Sequence, residues 1–129
     1  MTLDLNNLLA GALLDRFDTE FPAGAILEIR SGAGPGAENA ATGTLLASIT
    51  LPATPWAAAS GGSKAKSGTW EDSSADGTGT AAHYRLKNAA DTRRIDGTVS
   101  TSGADLNLNN TSINATQVVT INTFSYSIA

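Results

Sequence analysis

The sequence predicts an all-β fold, an antiparallel β-sandwich or jelly-roll-like single domain with a short N-terminal helix or arm. The chain has 129 residues, which is the size of one domain with one core. Only 16% of its residues are charged and 5% are aromatic. That composition suits short strands and turns better than a helical bundle. From residue 25 onward the apolar residues follow the two-residue period of strands.

One segment has the period of a helix, residues 5–17. Its apolar residues recur at three- and four-residue steps and form a single stripe: Leu5, Leu8, Leu9, Ala12, Leu13 and Phe17. Either Asp4 or Asn6 can cap this helix. The stripe has two interpretations. It packs on the domain's own sheet, or it docks on a partner subunit, because terminal segments are free to leave a domain.

These patterns divide the chain into an N-terminal helix or arm, residues 1–22, and a β-sandwich body, residues 23–129. We expect the arm to contribute assembly contacts as well as core contacts. The candidate partner-binding residues are Leu5, Leu8, Leu9, Leu13 and Phe17.

Strands are predicted wherever apolar residues alternate between Gly, Pro and Asn-rich turns. The predicted strands cover residues 25–30, 44–51, 80–87, 93–99, 105–113 and 118–128. Residues 80–100 form a hairpin in this prediction, with Tyr84 and Leu86 in the core and Arg85 pointing outward. Residues 56–70 are rich in small residues, so either a weak strand pair or a mobile loop is expected there.

Charge and composition exclude several classes of partner. The formal net charge is -4 and the eight Lys and Arg residues are spread along the chain, so there is no basic stripe to neutralise phosphates. We therefore expect no nucleic-acid partner. We also expect no membrane partner, because the N-terminus does not resemble a secretory signal and no segment approaches about 20 continuous apolar residues. The chain has no cysteine for disulfides or thiolate chemistry.

Three motifs resemble functional sites, but each lacks a required part. Residues 72–77 begin like a calcium loop, yet His83 stands where a carboxylate should be. Ser63 and Lys66 have the serine-x-x-lysine spacing of acyl-transfer enzymes without a helix to align them. We expect His83, the single histidine, to be a half-exposed strand residue. The prediction is therefore no catalytic residue, no metal and no cofactor.

Four aromatic residues have two interpretations. They line a sugar-binding platform or, as small domains more commonly arrange them, they form the core. These residues are Trp56, Trp70, Tyr84 and Phe124.

Several segments, taken together and in order, resemble a group of small tailed-phage virion proteins encoded among head-morphogenesis genes. The segments are Met1 to Asn7, Leu27 to Gly32, Ser63 to Trp70 and Thr80 to Leu86. The resemblance covers most of the chain. It lies in the residue composition of these segments and in their order, and it includes no diagnostic site. It implies a sandwich or jelly-roll-like fold that binds the outside of an icosahedral shell, often as dimers or trimers. No functional residue is carried over, because these proteins have no active-site motif.

The expected function is that of a non-enzymatic virion structural protein, a capsid cement or decoration module assembled in the host cytoplasm. Its partners are the major capsid protein or another virion protein, and the protein itself is a homodimer or homotrimer. We expect binding through apolar burial and strand-edge pairing. The alternative is a tail or receptor-contacting β module, including one that binds carbohydrate.

Overall fold

A computed structural model of the protein describes residues 4–128; residues 1–3 of the predicted arm and residue 129 of the predicted body lie outside this range. Within residues 4–128 the elements are α1 (Asn7–Asp15), α2 (Phe17–Glu20), β1 (Ile26–Ser31), β2 (Leu45–Thr50), β3 (Ser63–Ala65), β4 (Trp70–Asp72), β5 (Gly79–Lys87), β6 (Arg94–Ser100), β7 (Leu106–Asn107), β8 (Ser112–Ile113), β9 (Val119–Ile121) and β10 (Ser125–Ser127). The predicted all-β, sandwich-like fold with a short N-terminal helix is confirmed.

The helical segment is interrupted rather than continuous over residues 5–17. Asn6, not Asp4, caps α1, because its side-chain oxygen accepts a hydrogen bond from the backbone N–H of Leu9 at 3.0 Å. A turn at Arg16 separates α1 from the single turn of α2. No helix within residues 4–128 is long and apolar enough to cross a membrane.

The main sheet has β5 near its centre. Its order is β2-β1-β5-β6-β7, and β8 pairs with the start of β5. The pairs are antiparallel except for the short parallel contact between β6 and β7. Two ribbons complete the fold, β3 with β10 and β4 with β9. The strands from the C-terminal third therefore return to residues 63–72 and close the domain.

The predicted hairpin of residues 80–100 is present as β5 and β6. Tyr84 and Leu86 are buried as expected, with exposures of 1% and 0%. However, His83 and Arg85 on the opposite face are also buried, so the expected outward, solvent-facing position of Arg85 and the half-exposed position of His83 are wrong. The physical reason is that β5 is covered on both faces, which period-two alternation alone does not reveal.

The long β1–β2 connection, residues 32–44, covers the outer polar face of the sheet. Its backbone carbonyls accept hydrogen bonds from sheet side chains: Gly36 O accepts from Arg85 at 3.0 Å, and Ala37 O accepts from Arg94 at 3.3 Å. The carbonyl of Gly32 lies 2.7 Å from Nδ1 of His83. The loop thus covers Arg85 and His83, and its backbone oxygens supply part of the hydrogen bonding that these buried side chains need.

Two long strands predicted near the C-terminus are each split. Residues 105–113 form β7 and β8, and residues 118–128 form β9 and β10. The break at residues 122–124 changes the alternation, so Phe124 is buried together with Val119 and Ile121 instead of facing away from them. The segment 56–70 was expected to be either a weak strand pair or a mobile loop. It forms short strand pairings, including an isolated bridge between Trp56 and Lys66.

All seven aromatic residues of the chain form one continuous cluster in the core. Neighbouring ring centroids lie 4.9–6.4 Å apart, mostly edge to face, the geometry that aromatic pairs favour. The members are Phe17, Phe21, Trp56, Trp70, Tyr84, Phe124 and Tyr126. The interpretation of Trp56, Trp70, Tyr84 and Phe124 as core residues is confirmed, since each is at most 6% exposed.

Side-chain carboxylates cap backbone donors along both sides of the main sheet. Beside β2, Asp72 Oδ2 accepts a hydrogen bond from the backbone N–H of Ser48 at 2.9 Å. Beside β6, Asp105 Oδ2 accepts from the backbone N–H of Thr98 at 3.0 Å. Each carboxylate occupies a donor that an added strand would need. At these two positions the backbone donor is therefore already engaged and is not free to pair with an added strand.

Candidate functional site

Exposed large apolar side chains are gathered on the outer face of α1. Leu8 is 86% exposed, Leu9 48% and Leu13 52%, and Ala12 between them is also exposed. We call these four residues the leucine face. Large apolar side chains gathered on one exposed helical surface are uncommon in a monomer and mark interaction sites.

The opposite face of α1 packs on the domain. Ala10 and Leu14 are 1% and 3% exposed, and they lie about half a turn around the helix from the leucine face. The helix therefore has two apolar faces where the sequence indicated a single stripe. The expected packing on the body is found for one apolar face, at Ala10 and Leu14. The other face is open to solvent, and its docking on a partner subunit stays a prediction.

The structure divides the five candidate partner-binding residues. Leu8, Leu9 and Leu13 lie together on the leucine face, whereas Phe17 packs into the aromatic cluster against Phe21 and other rings. Leu5 is half-buried and precedes the capping residue. Phe17 is thus partly buried against the core, since the turn at Arg16 carries it away from the exposed side.

A buried ammonium group fixes α1 to the body. Lys64 on β3 has a fully buried side chain, and its Nζ lies 2.7 Å from Asp15 Oδ1 and 3.0 Å from Asp18 Oδ2. Asp15 Oδ1 also accepts a hydrogen bond from the backbone N–H of Ala59 at 3.0 Å. In addition, Trp56 Nε1 donates to the carbonyl of Phe21 at 3.0 Å. The leucine face is therefore carried on a helix whose C-terminal end is anchored at several points.

The charges of this anchor stabilise one another. Burial alone lowers the pKa of the Lys64 ammonium, but its hydrogen bonds to Asp15 and Asp18 outweigh burial, so the pKa lies above its ordinary value. The hydrogen bond from Lys64 is the main reason that the pKa of Asp15 is lowered. Lys64 is thus a charged structural residue at neutral pH, not an amine nucleophile.

Lys64 lies in the segment 56–70, for which the sequence predicted either a weak strand pair or a mobile loop. The sequence does not distinguish it from Lys66, because both lysines lie in the same run of small residues. The neighbouring Ser63 and Lys66 lie on an extended segment, and the Lys66 ammonium donates to the carbonyl of Gly68 at 2.8 Å. They do not form the aligned serine and lysine pair of an acyl-transfer site.

The calcium-like segment 72–77 uses its first carboxylate for backbone contacts. Asp72 Oδ1 accepts from the backbone N–H of Ser74 at 3.0 Å, while Oδ2 caps Ser48 beside β2. Within residues 4–128, no three His, Asp or Glu side chains are grouped so that they could hold a metal ion.

A groove of about 480 Å³ lies beside the β1–β2 loop and is lined in part by His83, Asp96 and Asp105. Its polar groups are already engaged. Both carboxylate oxygens of Asp96 accept from Arg85, at 2.7 and 3.0 Å. Asp105 Oδ2 accepts from Thr98, and His83 Nδ1 contacts a loop carbonyl. The arrangement stabilises the sheet and its covering loop.

Comparison with known proteins gave no match to a protein-family model, to a curated protein or to a solved structure.

Proposed function

We propose that the protein is a structural module of a virion, a capsid cement or decoration protein of a tailed phage. It attaches to the outer shell through contacts with the major capsid protein or another virion protein. The observation that carries the proposal is the leucine face, which is an apolar surface held out from the body by an anchored helix.

The chemistry of the named candidate sites supports a structural role over catalysis. The Ser63 and Lys66 pair is extended, His83 is buried under a loop, and the Asp72 carboxylate caps a strand. A hydrolytic or transfer reaction needs a nucleophile, a base and an oxyanion site converging on one point. None of these residues converges with another in that way.

The body has properties that suit a protein attached to a crowded shell. The formal charge of -4 disfavours contact with the packaged genome, and the carboxylates beside β2 and β6 disfavour strand addition. The aromatic cluster is buried. Its rings therefore do not support the interpretation of Trp56, Trp70, Tyr84 and Phe124 as a sugar-binding platform. A tail position remains the alternative to the shell.

The test is a quantitative protein analysis of purified virions from the phage that encodes the chain. A copy number similar to that of the major capsid protein is expected for a shell module. A handful of copies per virion would instead place the protein in the tail. Absence from virions would overturn the proposal.

A second measurement tests the mode of attachment. Retention of the protein on purified capsids is followed across a salt series, with and without EDTA. Apolar docking predicts weak dependence on salt and none on EDTA, whereas phosphate contacts weaken steeply between low and moderate salt. Release by EDTA would point to a calcium-dependent contact.

A matched pair of variants connects attachment to the leucine face. Leu8→Gln with Leu13→Gln removes two exposed leucines and keeps good helix formers in α1. Val118→Gln is the control, because Val118 is 56% exposed and lies at the start of the β9 region, outside the helix. We expect the helix variant to be retained less well than the control. Equal retention of the two variants on capsids would show that the leucine face does not contribute to the attachment.

A further inference from the structure

The groove beside the β1–β2 loop lies where β5 changes its hydrogen-bonding partner. Residues 79–80 of β5 pair with β8, whereas the pairing of β5 with β6 starts at His83. On the β1 side the register shifts between Ala81 and His83, which leaves Ala82 as an extra residue in the ladder. Such β-bulges re-aim neighbouring side chains and are common beside functional sites. His83 follows the bulge directly and lines the groove.

The imidazole of His83 is held in one orientation and has one unused nitrogen. His83 is only 2% exposed, and its Nδ1 lies 2.7 Å from the carbonyl oxygen of Gly32. Because a carbonyl can only accept, Nδ1 carries the proton, and in the neutral ring Nε2 is then an acceptor. No hydrogen bond within residues 4–128 uses Nε2, and no polar side-chain atom there is both sealed from solvent and unpaired. Nε2 therefore opens on the groove.

The carboxylate of Asp105 is also fixed through one oxygen only. Its Oδ2 accepts from the backbone N–H of Thr98 at 3.0 Å and from the Thr98 hydroxyl at 3.2 Å. The backbone N–H of Asp105 donates to the same hydroxyl oxygen at 3.2 Å. None of the ion pairs within residues 4–128 includes Asp105. Its negative charge and its Oδ1 are therefore available to a ligand.

The remaining lining of the groove adds no net charge and little bulk. The charge of Asp96 is compensated by Arg85, which donates to both of its oxygens. In the described part of the chain no lysine or arginine lines the groove. The groove, of about 480 Å³, thus carries one net negative charge and two free acceptors. Its walls are glycine and alanine residues: Gly32, Ala33, Gly34, Gly36, Ala82 and Gly97.

The free groups select a ligand that is positively charged and rich in hydrogen-bond donors. The charge of Asp105 disfavours phosphate and carboxylate ligands. Within residues 4–128 no three metal-ligating side chains are grouped, and no aromatic ring on which a sugar could stack lines the groove there. A guanidinium group offers several N–H donors in a planar fork, and it is hydrated more weakly than an ammonium. It can therefore donate to two separate acceptors when it enters a partly open groove.

We propose that the groove binds a guanidinium group, which donates to Nε2 of His83 and pairs with Oδ1 of Asp105. The inference goes beyond the proposed function, since no residue of the leucine face lines this groove. The contact with the carboxylate is charge-assisted and supplies most of the binding free energy, whereas the contact with His83 fixes the orientation. An arginine side chain of a partner protein and a free guanidino compound share this chemistry.

Titration of the full chain with three blocked amino acids tests the inference. N-acetylarginine methylamide carries the guanidinium, its lysine equivalent carries an ammonium, and its citrulline equivalent has nearly the same shape without the charge. His83 is the single histidine, so the ¹⁵N signals of its ring report binding directly. We expect the arginine compound to shift the Nε2 signal and the citrulline compound to bind about tenfold more weakly. Equal binding of all three compounds, or an unchanged Nε2 signal, overturns the inference.

Two further probes distinguish the sources of the guanidinium. Methylguanidinium presents the group alone, and an arginine-containing tripeptide amide presents it on a peptide backbone. Tighter binding of the peptide supports a partner protein as the source, whereas equal binding of the two probes supports a free guanidino compound. Failure of both probes to bind overturns the inference.

Two variants remove the free groups and keep the contacts that fix them. Asp105→Asn retains an oxygen that can accept from Thr98, and His83→Asn retains a donor near the position of Nδ1. Glu71→Gln is the control, because it removes the same charge from an exposed residue of β4 that does not line the groove. Far-ultraviolet circular dichroism confirms that each variant is folded.

We expect Asp105→Asn to weaken binding of the arginine compound about tenfold. His83→Asn should weaken it less, and the control should leave it unchanged. If His83→Asn does not fold, the comparison of Asp105→Asn with the control still decides the question. Equal affinity of these two variants overturns the inference.

Discussion

Lys64 and Asp15 join the body to the helix through a contact of 2.7 Å between a fully buried ammonium and a half-exposed carboxylate. The two partners have unequal surroundings, because solvent can hydrate the carboxylate of Asp15 but cannot reach the ammonium. Removing the carboxylate and removing the ammonium should therefore change the free energy of unfolding, and the attachment of α1, by different amounts.

Replacement of both carboxylates, Asp15→Asn with Asp18→Asn, leaves the Lys64 ammonium buried without a counter-charge. We expect this variant to lose about 3–5 kcal/mol of unfolding free energy, as other unpaired buried charges do. Lys64→Met keeps the apolar stem and leaves two carboxylates that water can reach, so its loss should be clearly smaller. Urea unfolding of the two variants gives the comparison. Equal losses would contradict the burial of this ammonium.

The buried tyrosine pair predicts the behaviour of the protein in alkali. Burial raises the pKa of Tyr84 to about 12 and also raises the pKa of Tyr126, and their hydroxyl oxygens lie 2.8 Å apart. Because the folded pKa of Tyr84 is above the ordinary value of 10.0, its contribution to stability is present below pH 10 and is lost as the pH rises toward 12.

Tyrosinate absorbance and near-ultraviolet circular dichroism should therefore change together in one cooperative alkaline step. The chain contains two tyrosines, so each accounts for half of the absorbance change. Ionisation of one tyrosine near pH 10 in a protein that remains folded would show that its hydroxyl is accessible to water.

Arg85 and Leu86 should both be important for stability although they face opposite sides of β5. Leu86→Ala removes a fully buried side chain and should cost about 2–5 kcal/mol. Arg85→Ala leaves the Asp96 carboxylate, 10% exposed, without its bidentate partner and should cost about 3–5 kcal/mol. Arg93→Ala is the control, since a side chain that is 60% exposed should change stability by less than about 0.5 kcal/mol. Thermal and urea unfolding check all three values.

Two glycine-to-alanine substitutions should change the stability of the protein in opposite directions. A Cβ at Gly97 would overlap the ring of Tyr84, so Gly97→Ala should destabilise the protein by about 1–3 kcal/mol. A Cβ at Gly11, inside α1, would meet the side chain of Ala59 only at 4.0 Å, so Gly11→Ala should stabilise the helix by about 0.5–1 kcal/mol. A stabilising effect at Gly97 would show that the Tyr84 ring has room to move.

The sequence predicted the β architecture well because most of its strands alternate regularly. The β5–β6 hairpin and the inward positions of Tyr84 and Leu86 follow from period-two alternation alone. Alternation predicted the wrong exposure for His83 and Arg85, because the β1–β2 loop covers the face of the strand on which they lie. No local pattern encodes which distant loop will lie over a strand.

The candidate surface was predicted in part. Helical periodicity identified Leu8, Leu9 and Leu13 as one group, but it could not show which of two apolar faces meets the body. That choice depends on Lys64, about fifty residues away along the chain, and on the turn at Arg16 that sends Phe17 inward. Contacts between such distant residues are set by the whole fold and are invisible to a local window.

The carboxylates of Asp72 and Asp105 affect how the domain can associate with itself at high concentration. Many β domains brought close together risk joining edge to edge into continuous ribbons. In this domain a carboxylate occupies one backbone donor of β2, at Ser48, and one of β6, at Thr98. A strand added at Ser48 or Thr98 would therefore meet a carboxylate in place of a free backbone donor, which disfavours edge-to-edge association of this domain in concentrated solution.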